Sequence, residues 1–144
     1  MIGAKAKLLA QIERMPRASE QAIEDMVARL GIEPSKDYID FLSISNGGTG
    51  IGPDLFVTLL RAEDVAGPDF SCDDLVPGLI IIGGDGLGND LGIDARTGQP
   101  LSQDFVVFDP VWLDLDSVSV QYRGKTFWGT LEYLAGRFDD NQLP

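Results

Sequence analysis

The residues of this chain that are best suited to ligand chemistry lie in one glycine- and aspartate-rich stretch. An apolar run ends at Ile82 and continues as Gly83-Gly84-Asp85-Gly86-Leu87-Gly88-Asn89-Asp90. Glycine-rich loops can cradle phosphate, alternating glycines and aspartates can bind calcium, and the same residue types build ordinary hairpin turns. The three interpretations predict different functions, and the residue spacing distinguishes between them.

The phosphate interpretation requires G-x-G-x-x-G at the start of a helix. Counting from Gly84, the stretch supplies Gly84 and Gly86, but Asn89 stands where the third glycine is needed. A second apolar strand follows instead of a helix, and the G-x-x-x-x-G-K-S/T pattern does not occur. Asp85 and Asp90 would also repel an anion. Both the spacing and the charge therefore argue against a phosphate loop.

The calcium interpretation fits better but is incomplete. In the repeat G-G-x-G-x-D that binds calcium in β-helices, Gly88 occupies the position of the ligand aspartate. The repeat occurs once and EF-hand spacing is absent, which leaves a weak cation site at Asp85 and Asp90 as the alternative. We predict a strand–loop–strand in which Asp85, Asn89 and Asp90 are turn residues, with no metal and no cofactor.

Composition excludes several classes of enzyme. The chain has 144 residues, no histidine and a single cysteine, Cys72. Without histidine, Ser–His–Asp and Cys–His catalysis are impossible, and one cysteine cannot build a thiolate zinc site. The remaining catalytic option is a carboxylate-based hydrolase, for which Asp85/Asp90 or Asp114/Asp116 would be the paired acids.

The negative charge is concentrated in one part of the chain. The net charge is −12, and residues 62–122 hold twelve acidic residues against one basic residue, Arg96. Such an acidic segment repels nucleic acid and anionic membranes and speeds encounter with basic proteins. We therefore predict a basic protein partner, with solubility as the alternative explanation of the charge.

Apolar spacing and capping residues predict helices on both sides of a central run of strands. Residues 1–17 form a lead-in segment with loose helical spacing that ends at Pro16, and residues 18–144 form one domain. The domain is predicted to hold helices at 19–30, 35–45 and 126–138 and strands at 55–60, 79–82, 90–95, 105–108 and 118–122. This order predicts an α+β fold with a mostly antiparallel twisted sheet flanked by helices.

The first residues do not resemble a signal peptide. The apolar run that begins at Leu8 is interrupted by Gln11 and Glu13, and no stretch of the chain approaches the ~18 apolar residues of a membrane span. With the low cysteine content, this predicts a cytoplasmic protein.

Three stretches of the chain, taken together, form a recognisable pattern. The first is Pro34-Ser35-Lys36-Asp37-Tyr38-Ile39-Asp40-Phe41-Leu42-Ser43-Ile44-Ser45-Asn46-Gly47-Gly48, and the second is the glycine turn after Ile82. The third is Thr97-Gly98 leading to Phe105-Val106-Val107-Phe108, with Phe127, Leu131 and Leu134 in the final helix. Together these segments resemble the SUKH superfamily, specifically its Smi/Knr-like domains, and the resemblance extends over roughly residues 31–138.

The resemblance implies a non-catalytic α+β domain that binds proteins. Bacterial members of the superfamily include immunity proteins that neutralise secreted polymorphic toxins, many of them nucleases, and fungal relatives act as regulators and scaffolds. The superfamily provides no catalytic residues to transfer to this chain. It implies a toxin-neutralising protein here, with a housekeeping regulatory domain as the alternative.

For the toxin-neutralising hypothesis we expect an acidic face to dock on a basic toxin surface, held by buried aromatic anchors. The candidate partner-binding residues are Asp73, Asp74, Asp85, Asp90, Asp94, Trp112 and Trp128. No nucleic acid and no membrane is expected as a partner. The identity of the partner and the oligomeric state stay open.

Overall fold

The computed structural model describes residues 4–50, 57–65, 67, 78–86, 88–96, 103–108, 121–122 and 126–136. Within these residues the helices are α1 (Ala4–Ala10), α2 (Glu20–Leu30), α3 (Lys36–Leu42) and α4 (Phe127–Gly136). The strands are β1 (Ile12–Arg14), β2 (Gly48–Gly50), β3 (Thr58–Leu59), β4 (Leu79–Gly84), β5 (Asp90–Asp94), β6 (Asp104–Phe108) and β7 (Gln121–Tyr122).

The described strands form one antiparallel sheet in which spatial order follows chain order from β1 to β7. The longest ladders join β4 to β5 and β5 to β6, with Ile80 opposite Ile93 and Ile93 opposite Phe105. A register shift between Ile81 and Gly83 marks a β-bulge in β4. The predicted α+β fold with a mostly antiparallel sheet is confirmed.

Helix α2 begins and ends where its capping residues predict. The Ser19 hydroxyl accepts a hydrogen bond of 3.0 Å from the Ala22 N–H, and Gly31 closes the helix with a φ of 70°. Helix α3 is shorter than predicted, because it ends at Leu42 rather than at Ser45. Ser45 is buried and accepts a 2.9 Å hydrogen bond from the Met15 N–H, which holds the N-terminal segment against the end of α3.

The main core lies between the helices and one face of the sheet. Strand alternation places Leu91, Ile93, Phe105 and Val107 on this face, and all four are buried. They belong to one cluster with Met26, Phe41, Leu42, Leu131 and Leu134 of the helices. The opposite face also buries apolar side chains, since Leu79, Val106 and Phe108 are 6%, 0% and 1% exposed.

Phe127, the first residue of α4, is the centre of an aromatic cluster. Its ring centroid lies 4.9 Å from that of Phe41, 5.5 Å from Tyr38, 5.3 Å from Trp128 and 6.0 Å from Phe105. The cluster joins α3, α4 and β6, which are far apart in the chain. Burial raises the pKa of the Tyr38 phenol, because the ionised form would lose its hydration.

A carboxylate of α3 holds the N-terminus of α4. Asp37 Oδ2 accepts a hydrogen bond from the Phe127 N–H, and its Oδ1 accepts one of 2.5 Å from the Ser35 hydroxyl. The Thr126 hydroxyl caps the same helix by accepting a 3.1 Å hydrogen bond from the Gly129 N–H. A negative charge near the N-terminus of a helix also interacts favourably with the positive end of the helix dipole. Through its hydrogen bond and its charge, Asp37 therefore fixes α4 against α3.

The N-terminal segment contributes to the sheet, which differs from the predicted helical lead-in. Of the residues of this segment that the structure describes, Ala4–Ala10 are helical, and β1 then pairs with β2, with Ile12 opposite Gly50 and Arg14 opposite Gly48. Leu8 and Ile12 are 3% and 5% exposed and belong to the main core. The segment is therefore packed on the domain, and its strand forms one edge of the described sheet.

Parts of the other predicted strands lie outside the described residues. Of the strand predicted at 55–60, residues 57–60 are described and Thr58–Leu59 is a strand. Of the strand predicted at 118–122, Gln121–Tyr122 is described and pairs with β6.

Candidate functional site

The glycine turn between β4 and β5 is organised by a buried carboxylate. Asp85 is fully buried, and its two carboxylate oxygens accept hydrogen bonds of 3.1 Å from the Asn89 N–H and from the Asn89 side-chain amide. The Asp85 N–H donates to the Asn89 carbonyl at 3.0 Å. Gly86 and Gly88 take φ values of 79° and 91°, which favour glycine. The predicted strand–loop–strand is confirmed.

The structure corrects the expected surface role of Asp85. A fully buried carboxylate that binds Asn89 presents no negative charge to a partner. Asp94 is 8% exposed and forms a salt bridge of 2.9 Å with Arg96, so most of its charge is compensated within the protein. Asp90 is half-buried and stays a predicted partner contact.

The remaining candidate contacts are Asp73, Asp74, Trp112 and Trp128. The first three lie outside the described residues, as do Asp114 and Asp116. Trp128 is half-buried in α4, where its ring meets Phe41 edge-on at 6.0 Å. Its role as a partner anchor stays a prediction.

Chemistry at the turn would require accessible groups. In the described part of the chain, no three histidine, cysteine, aspartate or glutamate side chains form a group that could hold a metal ion. The burial of Asp85 also removes it from contact with any substrate of an Asp85/Asp90 hydrolase. Across the same residues, no helix is both long and apolar enough to cross a membrane.

The exposed acidic groups that the structure describes lie mainly on helices. On α2, Glu20 and Glu24 are four residues apart, so they share one side of the helix, and Asp25 lies beside them. All three are exposed, as is Asp40 of α3. We name the three carboxylates of α2, Glu20, Glu24 and Asp25, the helical acidic surface.

A second polar cluster fixes the turn at residues 61–65. The Asn46 side-chain oxygen accepts a 2.7 Å hydrogen bond from the Ala62 N–H, and its amide donates one of 2.7 Å to Glu63. From α2, Arg29 donates to the Ala62 carbonyl at 2.6 Å and to the Val65 carbonyl at 3.2 Å. The hydrogen bond from Asn46 holds the pKa of Glu63 below its ordinary value.

Replacing Asn46 with alanine is expected to lower the free energy of unfolding by about 1–2 kcal/mol, because the part-buried Ala62 N–H loses its acceptor. The same change should raise the pKa of Glu63 toward its ordinary value. A group whose pKa is lowered by folding stabilises the protein above its unfolded pKa, and this stability is lost as the pH falls through the folded pKa. Urea titrations at several pH values and NMR titration of Glu63 measure both effects.

The matched control for this prediction is Asn46→Asp. An aspartate can still accept from the Ala62 N–H but cannot donate to Glu63, and it places a like charge beside that carboxylate. It should therefore raise the pKa of Glu63 more than Asn46→Ala does. An unchanged pKa of Glu63 in both variants would contradict the assigned hydrogen bond.

The family model for the SMI1 / KNR4 family (SUKH-1) matches residues 17–138. The chain belongs to this family. The match begins before α2 and extends beyond α4, so it includes the aromatic cluster and the Asn46 cluster but not α1 and β1. No curated protein matches the chain significantly.

The predicted SUKH resemblance is thus confirmed. Asn46 lies in the Asn-Gly-Gly segment that carried the resemblance, and the helix predicted at 35–45 ends directly before it. Its contacts with Ala62 and Glu63 were missed because they join residues 16 and 17 positions apart. The helical acidic surface was missed because net charge was counted along the chain rather than by exposure.

Proposed function

We propose that this SUKH-1 domain is a non-catalytic binding protein that neutralises a cognate bacterial toxin by occluding a basic surface of that toxin. Family membership together with the exposed carboxylates of α2 supports this proposal. A toxin that acts on nucleic acid needs a positively charged surface, because it must hold phosphates. An acidic protein can cover such a surface and exclude the substrate. We place this immunity function in the cytoplasm.

The helical acidic surface is the part of the described protein best suited to such docking. Its carboxylates are exposed, whereas Asp85 and Asp94 are buried and hydrogen-bonded. Charges at the rim of an interface act mainly on the association rate, since they steer the two proteins together. We propose that Asp90 and the half-buried ring of Trp128 also contact the toxin, the first through its charge and the second through its apolar surface.

Charge reversal on α2 tests the surface. We expect the cognate toxin to be encoded by the gene next to that of this protein, and an inactivated form of it serves as the binding partner. In the double variant Glu24→Lys/Asp25→Lys, the association rate with this partner should fall about 10-fold or more at low salt. Stopped-flow or surface-plasmon measurements at several salt concentrations give this rate. The matched control is Glu33→Lys/Glu132→Lys, which changes the net charge equally at exposed positions outside α2.

The two variants separate local docking from overall charge. Equal loss in both variants would show that net charge alone drives association and would contradict the assignment to α2. A neighbouring gene whose product is not toxic, in a host where this protein binds a cell-wall or signalling protein instead, would favour the regulatory alternative.

A further inference from the structure

The N-terminal segment is the basic part of an acidic protein. Residues 1–17 contain Lys5, Lys7, Arg14 and Arg17 against one acidic residue, Glu13, whereas the whole chain carries −12. Lys7, Arg14 and Arg17 are exposed. Met15, which follows β1, is 46% exposed, the larger value of the two exposed large hydrophobic residues among those described.

Strand β1 also lies at one edge of the described sheet. The Gly50 N–H donates to the Val57 carbonyl at 2.7 Å, which directs the backbone of Gly50 toward β3. Backbone groups of successive residues in an antiparallel strand point to opposite sides, so those of Thr49 face β1, where Glu13 is its partner. The N–H and C=O groups of Ile12 and Arg14 consequently point away from β2.

We propose that the outer edge of β1 is a β-augmentation site for an extended, negatively charged segment of a partner protein. Outward backbone groups two residues apart are the pattern that an added strand requires. An acidic residue opposite Arg14 would form a cross-strand ion pair, and Lys7 and Arg17 would attract the rest of the segment. This edge belongs to a different element from the helical acidic surface, and its basic side chains have the opposite charge.

The edge selects its partner by charge as well as by hydrogen bonding. It is only three residues long and carries exposed Glu13 and Arg14, features that discourage indiscriminate pairing between edges. A second copy of this chain that paired antiparallel about Glu13 or Arg14 would place that residue opposite its own copy, and so would pair like charges. After β1 in the chain, a cavity of about 450 Å³ is lined by Arg17, Ala18, Ser19 and Glu20, and because it carries one charge of each sign it offers room for an uncharged side chain of the segment.

Selection from a displayed library of random dodecapeptides tests the site. We expect enriched peptides to carry acidic residues at alternate positions and to slow hydrogen exchange of the Arg14 amide at least 10-fold. Arg14→Pro removes this outward N–H without removing a donor to β2, and proline is tolerated at such edge positions. It should weaken binding of the enriched peptides at least 10-fold.

Arg14→Thr is the matched control, because it removes the charge but keeps the amide. It should weaken binding of the same peptides only a few-fold. The Arg14→Glu variant should bind the enriched acidic peptides no more tightly than versions in which lysine replaces their acidic residues. If Arg14→Pro lowers the thermal midpoint, the effect of the peptide on the hydrogen-exchange rate of the Arg14 amide in the wild-type protein decides whether the peptide pairs with β1. Absence of enriched peptides, equal affinity for a stably folded Arg14→Pro, or protection only at other amides would overturn the proposal.

Discussion

The substitution Gly83→Ala is expected to destabilise the protein by at least about 3 kcal/mol, the upper part of the range for overpacked sites. A Cβ atom at Gly83 would lie 2.0 Å from the Thr58 carbonyl oxygen and 3.1 Å from the Thr58 carbonyl carbon. These are backbone atoms of the neighbouring strand, so no side chain can move aside. The pairing of β3 with β4 at the β-bulge would have to open. Urea unfolding followed by circular dichroism measures the loss.

Gly84→Ala is the matched control for this prediction. Among the described residues, a Cβ atom there would meet only the Asn89 carbonyl oxygen, at 3.4 Å, and Gly84 does not take a positive φ. Because alanine also restricts the unfolded chain, the net change should stay within about 1 kcal/mol. Similar losses in both variants would contradict the close approach of β3 to Gly83.

The substitution Phe127→Ala is expected to lower the free energy of unfolding by about 3–5 kcal/mol, as for other buried aromatic residues cut to alanine. Phe127 is 0% exposed, and its ring meets those of Tyr38, Phe41, Phe105 and Trp128. Truncation would leave a cavity at the point where α3, α4 and β6 meet. Urea unfolding at equilibrium measures the change as a shift of the midpoint.

Phe127→Leu separates lost volume from lost backbone geometry. Leucine fills most of the space and keeps the N–H that binds Asp37, so the expected loss is about 1.5 kcal/mol. A loss in Phe127→Ala no larger than that in Phe127→Leu would contradict the central position of this ring.

Elements with strong local signals were predictable from the sequence. Ser19 and Gly31 delimit α2 through their own caps, and the apolar runs of β4, β5 and β6 alternate or stay buried as their residue types predict. The glycines at positions 86 and 88 predicted the turn between β4 and β5, since glycine readily takes the positive φ values that the structure shows there. These features depend on residues close together in the chain.

Features that depend on distant residues were not predictable. Strand β1 exists because Ile12–Arg14 finds β2 more than thirty residues later, although its own spacing favoured a helix. Helix α3 ends at Leu42, and the role of Ser45 beyond it, which is to accept the Met15 N–H, depends on a residue 30 positions away. The partners of Asn46 likewise become visible only when the turn at 61–65 is placed beside it.

The candidate partner-binding site shows the same limit. The sequence correctly places an acidic excess in the chain, but charge alone does not reveal that Asp85 binds Asn89 and that Asp94 binds Arg96. Carboxylates that accept hydrogen bonds within a turn are used by the fold itself and are not presented to a partner. Those of Glu24 and Asp25 on the outer side of α2 are exposed, which is why the proposal now rests on them.

The most direct measurement of the proposed function combines binding and toxicity for the product of the neighbouring gene. We expect that product to arrest growth when expressed alone, and to be harmless when this protein is co-expressed. Calorimetric titration of an inactivated form should show a complex that weakens as the salt concentration rises toward about 0.15 M and beyond. A product that is not toxic, or one that stays fully toxic in the presence of this protein, would contradict the account.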